Sequence, residues 1–312
     1  EFRRVLFRSL EGQVQGAVTV VGLARYPHAP LGGTRSDWSK ERSVDFGQLV
    51  AAMDEAGVAK AAIVHSSTTY GFDNAYVADS IAGQRGRFAG VFSVNVTEPE
   101  APAKMRHWIA RGMEGMRIYV RGSTIKKAWM AIDDPVAAPA WRCAAELGLS
   151  VAVNVLAQGE GTEQIRAVAR TYPGVNLIVD HLGRPPIEDG PPYAAARAYW
   201  ELAKLPNVYL KLTPSGLGAG NAGKSTVASY AARLVAEFGA NRIAWGSNYP
   251  SSPGSLRDIL AATRAMLAEL SDADRAWIFG GTAETLYPSL KGDRKSTRLN
   301  SSHVKRSRMP SS

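Results

Sequence analysis

Imidazole, guanidinium, ammonium and amide groups recur in this chain at the ends of short apolar runs. In order they are His65, then Ser93 and Asn95, then Arg117, Tyr119 and Arg121, then Asn154, then Asp180 and His181, then Lys211 and Thr213, and finally Ser247 and Asn248. The set is rich in cations and amides and poor in carboxylates. Guanidinium forks match carboxylate geometry and an ammonium adds a point charge, so Arg117, Arg121, Arg184 and Lys211 suit a small anionic substrate. Histidine titrates near neutrality. His65, which ends "AKAAIVH" (59–65), and His181, in "VDHLGRPP" (179–186), could therefore move a proton or polarise a carbonyl. Asn248, in "IAWGSNYPSSP" (243–253), can orient a water but cannot take its proton. Tyr119, Asn154 and Asn74, the last in "YGFDN" (70–74), are further candidates to reach a substrate, and Asp73 is expected to cap the helix that follows.

The elements that must hold these groups are legible from apolar periodicity. Strand candidates lie at 15–22, 59–65, 88–94, 114–120, 149–155, 175–180, 207–213 and 241–246. Amphipathic stretches such as 44–56, 133–147 and 224–238 alternate with them, several ending in Gly as a stop signal. Eight β-then-α units without a Pro/Gly linker predict an α/β fold with one (β/α)8 TIM barrel over residues 10–292. Such a barrel presents its chemistry at the C-terminal ends of the strands, where the polar groups above fall. Arg117 and Arg121 are four apart, so they share a face, and form a carboxylate clamp, only if the strand continues through both.

The ends of the chain mislead. "EFRRVLFRS" (1–9) and the stretch 293–312, beginning "DRKSTRLNSSH", read as translated sequencing adapter around an environmental gene fragment, and are set aside as non-native. They hold nine Lys/Arg and two Asp/Glu of a chain whose formal charge is +9, leaving 28 basic and 26 acidic residues between them. That near balance removes the case for a nucleic-acid partner. No apolar run approaches a membrane span, so the expectation is a cytoplasmic protein without a membrane partner; a homodimer is left open. Cys143 is expected to pack in a helix, His107 to lie on a solvated face and His28 to brace a loop between prolines. Residues 218–225 match Gly-x4-Gly-Lys-Ser, yet follow the seventh strand candidate with no companion motif, and are discounted as a phosphate loop.

"YPHAP" (26–30), "GMEGMRIYV" (112–120), "VDHLGRPP", "NVYLKLT" (207–213), "RIAWGSNYP" (242–250) and "AETLYP" (283–288) together resemble the amidohydrolase superfamily, in its amidohydrolase-2 group that includes pyrone dicarboxylate lactonase. The resemblance implies a hydrolase of a small carboxylated lactone or related cyclic ester, of the kind met in aromatic-compound catabolism. Metal-using members carry His-x-His on strand 1, a His on strand 5 or 6 and an Asp on strand 8. Aligned through "YPHAP", this chain has Val18 and Val20 at the first pair and Asn248 at the Asp. The resemblance with these departures implies no cofactor: zinc would meet an incomplete ligand set. His181 and Asn248 are then the catalytic candidates, with substrate held by Arg117, Arg121, His65, Tyr119, Asn154, Arg184, Lys211 and Asn74. Three alternatives stand: a catalytically silent barrel that binds an anionic metabolite, a metal-dependent hydrolase or decarboxylase of the same group, and a corrupted stretch over 10–20 that leaves Asn248 unexplained.

Overall fold

The computed structural model describes residues 14–15, 18–19, 42–121 and 128–291. His28, Val20, the two terminal stretches read as non-native and the "YPHAP" segment lie outside the described residues. The strands are β1 (Val14–Gln15), β2 (Val18–Thr19), β3 (Val58–Val64), β4 (Phe88–Phe92), β5 (Gly115–Ile118), β6 (Ser150–Val153), β7 (Asn176–Val179), β8 (Val208–Leu212) and β9 (Ile243–Trp245). From β3 onward each falls on one expected run to within two residues at its start; β1 and β2 share the first run.

Every described ladder is parallel, and the path runs β3 to β9 in chain order, with β1 and β2 both paired to β3. The result is an α/β fold on a seven-strand parallel sheet with a short first segment; a ladder from β9 back to β1 or β2 is not among the described pairings. Parallel neighbours need crossovers. These are supplied by α2 (Ala75–Ile81), α3 (Ala101–Ala110), α4 (Ala138–Glu146), α5 (Glu160–Thr171) and α6 (Val227–Phe238), and between β7 and β8 by short helical turns over 194–204, with α1 (Phe46–Ala56) before β3 and α7 (Leu256–Met266) after β9. Asp45, Thr226 and Ser255 start α1, α6 and α7 with reciprocal capping boxes, each satisfying two otherwise unpaired backbone donors. Gly57 ends α1 at φ 71°, where a side chain would be strained.

The strands divide their side chains by alternation. One set, including Ile63, Phe92, Met116, Val153, Leu177, Leu210 and Trp245, packs in the large core with the helices. The other set, Ala62, Val64, Ala89, Val91, Ala152, Ile178 and Ala244, is small, and a C-terminal plug fills the space it leaves. That plug is α8 (Thr282–Leu286) with Tyr287 and Leu290. Ser150 Oγ donates to the Leu286 carbonyl at 2.8 Å and Ser289 N donates to Glu114 Oε2 at 3.1 Å. A Cβ on Gly115 would lie 2.7 Å from the Tyr287 ring, so the glycine is required by the plug. The plug touches the first residues of the strands, leaving the opposite ends, where β5, β7 and β8 stop, for polar groups. Cys143 is buried and His107 exposed, as expected.

Candidate active site

Alternation carries the small-residue row upward from Ile178 to Asp180, from Gly115 to Arg117 and from Tyr209 to Lys211, and these three charges meet. Arg117 Nε donates to Asp180 Oδ2 at 2.8 Å, and Lys211 Nζ lies 3.0 Å from Oδ1. The carboxylate side chain has no exposed surface, and the cations retain 11% and 7% of theirs. Burial alone would raise the Asp180 carboxyl, but Arg117 and Lys211 outweigh it and hold the group well below the usual carboxylate range. Burial lowers Lys211, with Asp180 opposing. One carboxylate between two cations leaves the cluster a net positive charge. Arg117 also stacks 5.1 Å from the centre of the Tyr119 ring.

His181 follows directly, in left-handed backbone at φ 54°, in a run with Leu182 at 61° and Arg184 at 50°. Such angles cost free energy in residues other than glycine and persist where neighbours dictate them. Gly183 O accepts from Ala157 N at 2.7 Å, which ties the run to the segment after β6. His181 Nδ1 lies 2.9 Å from Thr213 Oγ1 at the end of β8. Burial pushes the imidazole down to about 4, with Asp180 opposing and Lys211 and Arg117 reinforcing. His181 is therefore neutral at neutral pH.

Asn248 stands just beyond β9 at φ 52°, a conformation Asn tolerates better than most side chains, and its carbonyl accepts from Ser252 N at 2.8 Å. Ser247 is buried, its Oγ accepting from Tyr249 N at 3.1 Å. Asn154 Nδ2 donates to the Arg121 carbonyl at 2.7 Å.

Several expected contacts have other work. Asn74 is fully buried: its amide donates to the Phe72 and Ser93 carbonyls, and its oxygen accepts from Ser93 N. It clamps the segment after β3 to the end of β4, with both amide hydrogens engaged and no exposed surface. His65 falls on the helix-facing parity of Ile63, is 1% exposed, and places Nε2 2.8 Å from the Gly71 carbonyl; burial lowers it to about 4. Its Nε2 is engaged by the backbone, and its buried Nδ1 has no hydrogen-bond partner among the described residues. β5 ends at Ile118, so the condition for an Arg117/Arg121 clamp on one strand face is not met. Arg184 is exposed. The cap expected at Asp73 falls one residue on: Asn74 is the N-cap of α2 without a side-chain cap bond, while Asp73 Oδ1, just before it, accepts from Ala75 N at 3.0 Å.

Two site members, Asp180 and Thr213, stood in the row of strand ends without an assigned role. Period-two counting from Ile178 and Lys211 would have placed both with Arg117. The phosphate-loop match also resolves: Lys224 N donates to the Glu188 carbonyl, Ser225 is buried 3.1 Å from the Tyr193 hydroxyl, and a side chain at Gly223 would strike the Glu188 carbonyl at 2.3 Å. That loop is packed against protein.

Of the expected metal positions on strand 1, Val18 lies on β2 and Val20 lies outside the described residues. On β2, Val18 pairs with Ile63 and Thr19 with Val64. Among the described residues no three His, Cys, Asp or Glu side chains come together as a metal site. A divalent ion near Asp180 would also face the Lys211 ammonium and Arg117 guanidinium that already neutralise it. The described residues do not fit a metal.

The amidohydrolase family model matches residues 26–289. The chain belongs to the amidohydrolase family. L-fucono-1,5-lactonase of Burkholderia ambifaria is 32% identical over 256 residues, 78% of this chain and 85% of that protein. A proposed 2-pyrone-4,6-dicarboxylic acid hydrolase from Pseudomonas putida superposes with a TM-score of 0.69 at 18% identity, covering 90% of this chain and 99% of that one. A Burkholderia multivorans amidohydrolase with bound zinc gives a TM-score of 0.66 at 20% identity, covering 89% and 99%. At those identities the two structures establish the shared fold of this amidohydrolase. Among its described residues no helix is long and apolar enough to cross a membrane.

Proposed function

We propose that this amidohydrolase hydrolyses a small lactone carrying a carboxylate, and that β9 closes on the first strand segment to complete an eight-stranded barrel around the site. The observation that carries the reading is the net positive Arg117–Asp180–Lys211 cluster beside a neutral His181. Arg117 and Lys211 hold the substrate carboxylate, with Tyr119 shaping the wall under the guanidinium. The neutral imidazole of His181 assists attack of water on the ring carbonyl, either by polarising the carbonyl or by accepting the water proton. The water oxygen bonds to the acyl carbon, the ring C–O bond breaks, and the proton the water gives up passes to the departing ring oxygen. Asn248 orients the water. No step is routed through a metal, in keeping with the donor set. The 32% lactonase relative supports the reaction class. We place the activity in the cytoplasm, with a carboxylated ring from aromatic-compound catabolism as first choice.

A second reading, a neutral sugar lactone, is favoured by the L-fucono-1,5-lactone for which that same relative is named. Rates on 2-pyrone-4,6-dicarboxylate and L-fucono-1,5-lactone separate the two. The charged substrate is expected to lead by about tenfold or more, the scale of a hydrogen bond to a charged group. An equal or larger kcat/KM on the neutral lactone would refute the carboxylate assignment.

A further inference from the structure

We infer that the turn Thr213–Gly216 is a positioning clamp which fixes His181 with its proton on Nε2, making the ring a donor to the substrate carbonyl and not the base. The role given to the ring rests on the lactonase reading; its tautomer does not. Thr213 is fully buried. Its Oγ1 accepts from Gly216 N at 3.3 Å, at the start of the short helix Pro214–Gly218. The hydroxyl proton must then point elsewhere, and the acceptor within reach is His181 Nδ1 at 2.9 Å. Were Nδ1 protonated, two donors would face one oxygen and a buried O–H would be left unmatched, an arrangement folded proteins avoid. A neutral imidazole accepting at Nδ1 carries its hydrogen on Nε2.

The same turn fixes the ring's direction. A Cβ on Gly216 would lie 2.7 Å from the His181 carbonyl oxygen and 2.9 Å from its carbon, so only glycine lets the helix press against this backbone. His181 is held at φ 54° on that side by Gly216, while Gly183 bonds to Ala157 on the other. With the proton on Nε2 the ring has no lone pair to offer an attacking water. It stabilises the negative charge that grows on the carbonyl oxygen as the water adds, by donating a hydrogen bond to it.

Nitrogen-15 spectra of the labelled full chain test this, with the His181 signal assigned by its loss in His181→Gln. A protonated Nε2 and an acceptor-type Nδ1 are expected at pH 7 in the wild type. In Thr213→Val the two nitrogens are expected to shift toward a tautomer mixture, with kcat down about 10- to 100-fold and KM within about twofold; Thr213→Ser, which returns the hydroxyl, recovers the spectrum and most of kcat. A proton on Nδ1 in the wild type overturns the clamp, as does Thr213→Val with wild-type spectrum and kcat. If Thr213→Val does not fold, the wild-type and Thr213→Ser spectra decide. If the wild type opens no lactone, the functional reading falls while the spectra still judge the clamp.

Discussion

Asp180→Asn isolates the charge balance on which the site depends. The carboxylate is wholly buried between a guanidinium at 2.8 Å and an ammonium at 3.0 Å. The substitution keeps the shape and removes the counter-charge, leaving two buried cations to repel each other. At an effective dielectric of ~20, one ion pair at ~4 Å is worth about 4 kcal/mol before desolvation, and breaking a buried pair by removing one partner costs about 3–5 kcal/mol. We take that range as the expected loss in urea unfolding at pH 7. The double variant Asp180→Asn/Lys211→Met removes one cation as well, and is expected to recover at least about 1–2 kcal/mol, a coupling of the size seen between residues in one network. A loss under about 1 kcal/mol for Asp180→Asn, or no recovery in the double variant, would refute the claim that Asp180 is the counter-charge for both cations.

Acid sensitivity follows from the two depressed histidines. His65 and His181 are held near 4 in the fold, against 6.5 in an open chain. The unfolded chain binds protons that the folded one refuses, so this stability is full above about pH 6.5, falls toward pH 4 and levels off below; fully buried His65 alone accounts for roughly 2–4 kcal/mol. Unfolding free energies that stay flat from pH 7 to pH 4.5 would contradict it. Tyr287→Ala empties the plug over Gly115 and is expected to cost about 3–5 kcal/mol in the same assay, whereas a loss under 1 kcal/mol would mean the plug is dispensable. Asn248→Asp keeps a side chain that tolerates the left-handed backbone and adds the carboxylate missing at the end of β9. Its kcat at pH 7 is expected to rise by about tenfold or more, as a positioned base would give, and an unchanged or lower kcat would show that the base must stand elsewhere.

The sheet was legible because its strands are short apolar runs at regular spacing, and from β3 to β9 each lies where periodicity put it. The site was legible as a composition, cations with few carboxylates, but not as a geometry. Asp180 looked like a neighbour of His181 along the chain; it is a partner of Arg117 and Lys211 across the sheet, a relation visible only when inward parity is counted on three strands together. His65 and Asn74 misled because a polar residue at a strand end has two fates, facing the pocket or bracing the backbone beside it, and residue type does not separate them. In the fold these two bond to the backbone of Gly71, Phe72 and Ser93.

Steady-state hydrolysis of 2-pyrone-4,6-dicarboxylate and L-fucono-1,5-lactone by the full chain, run in a chelator and beside His181→Gln, tests the central claim most directly. The account predicts turnover of at least one lactone, unchanged by the chelator, and a kcat lower by about 100-fold in His181→Gln, the scale of losing one oxyanion donor. Turnover of neither lactone, turnover abolished by the chelator, or His181→Gln working at the wild-type rate would contradict it.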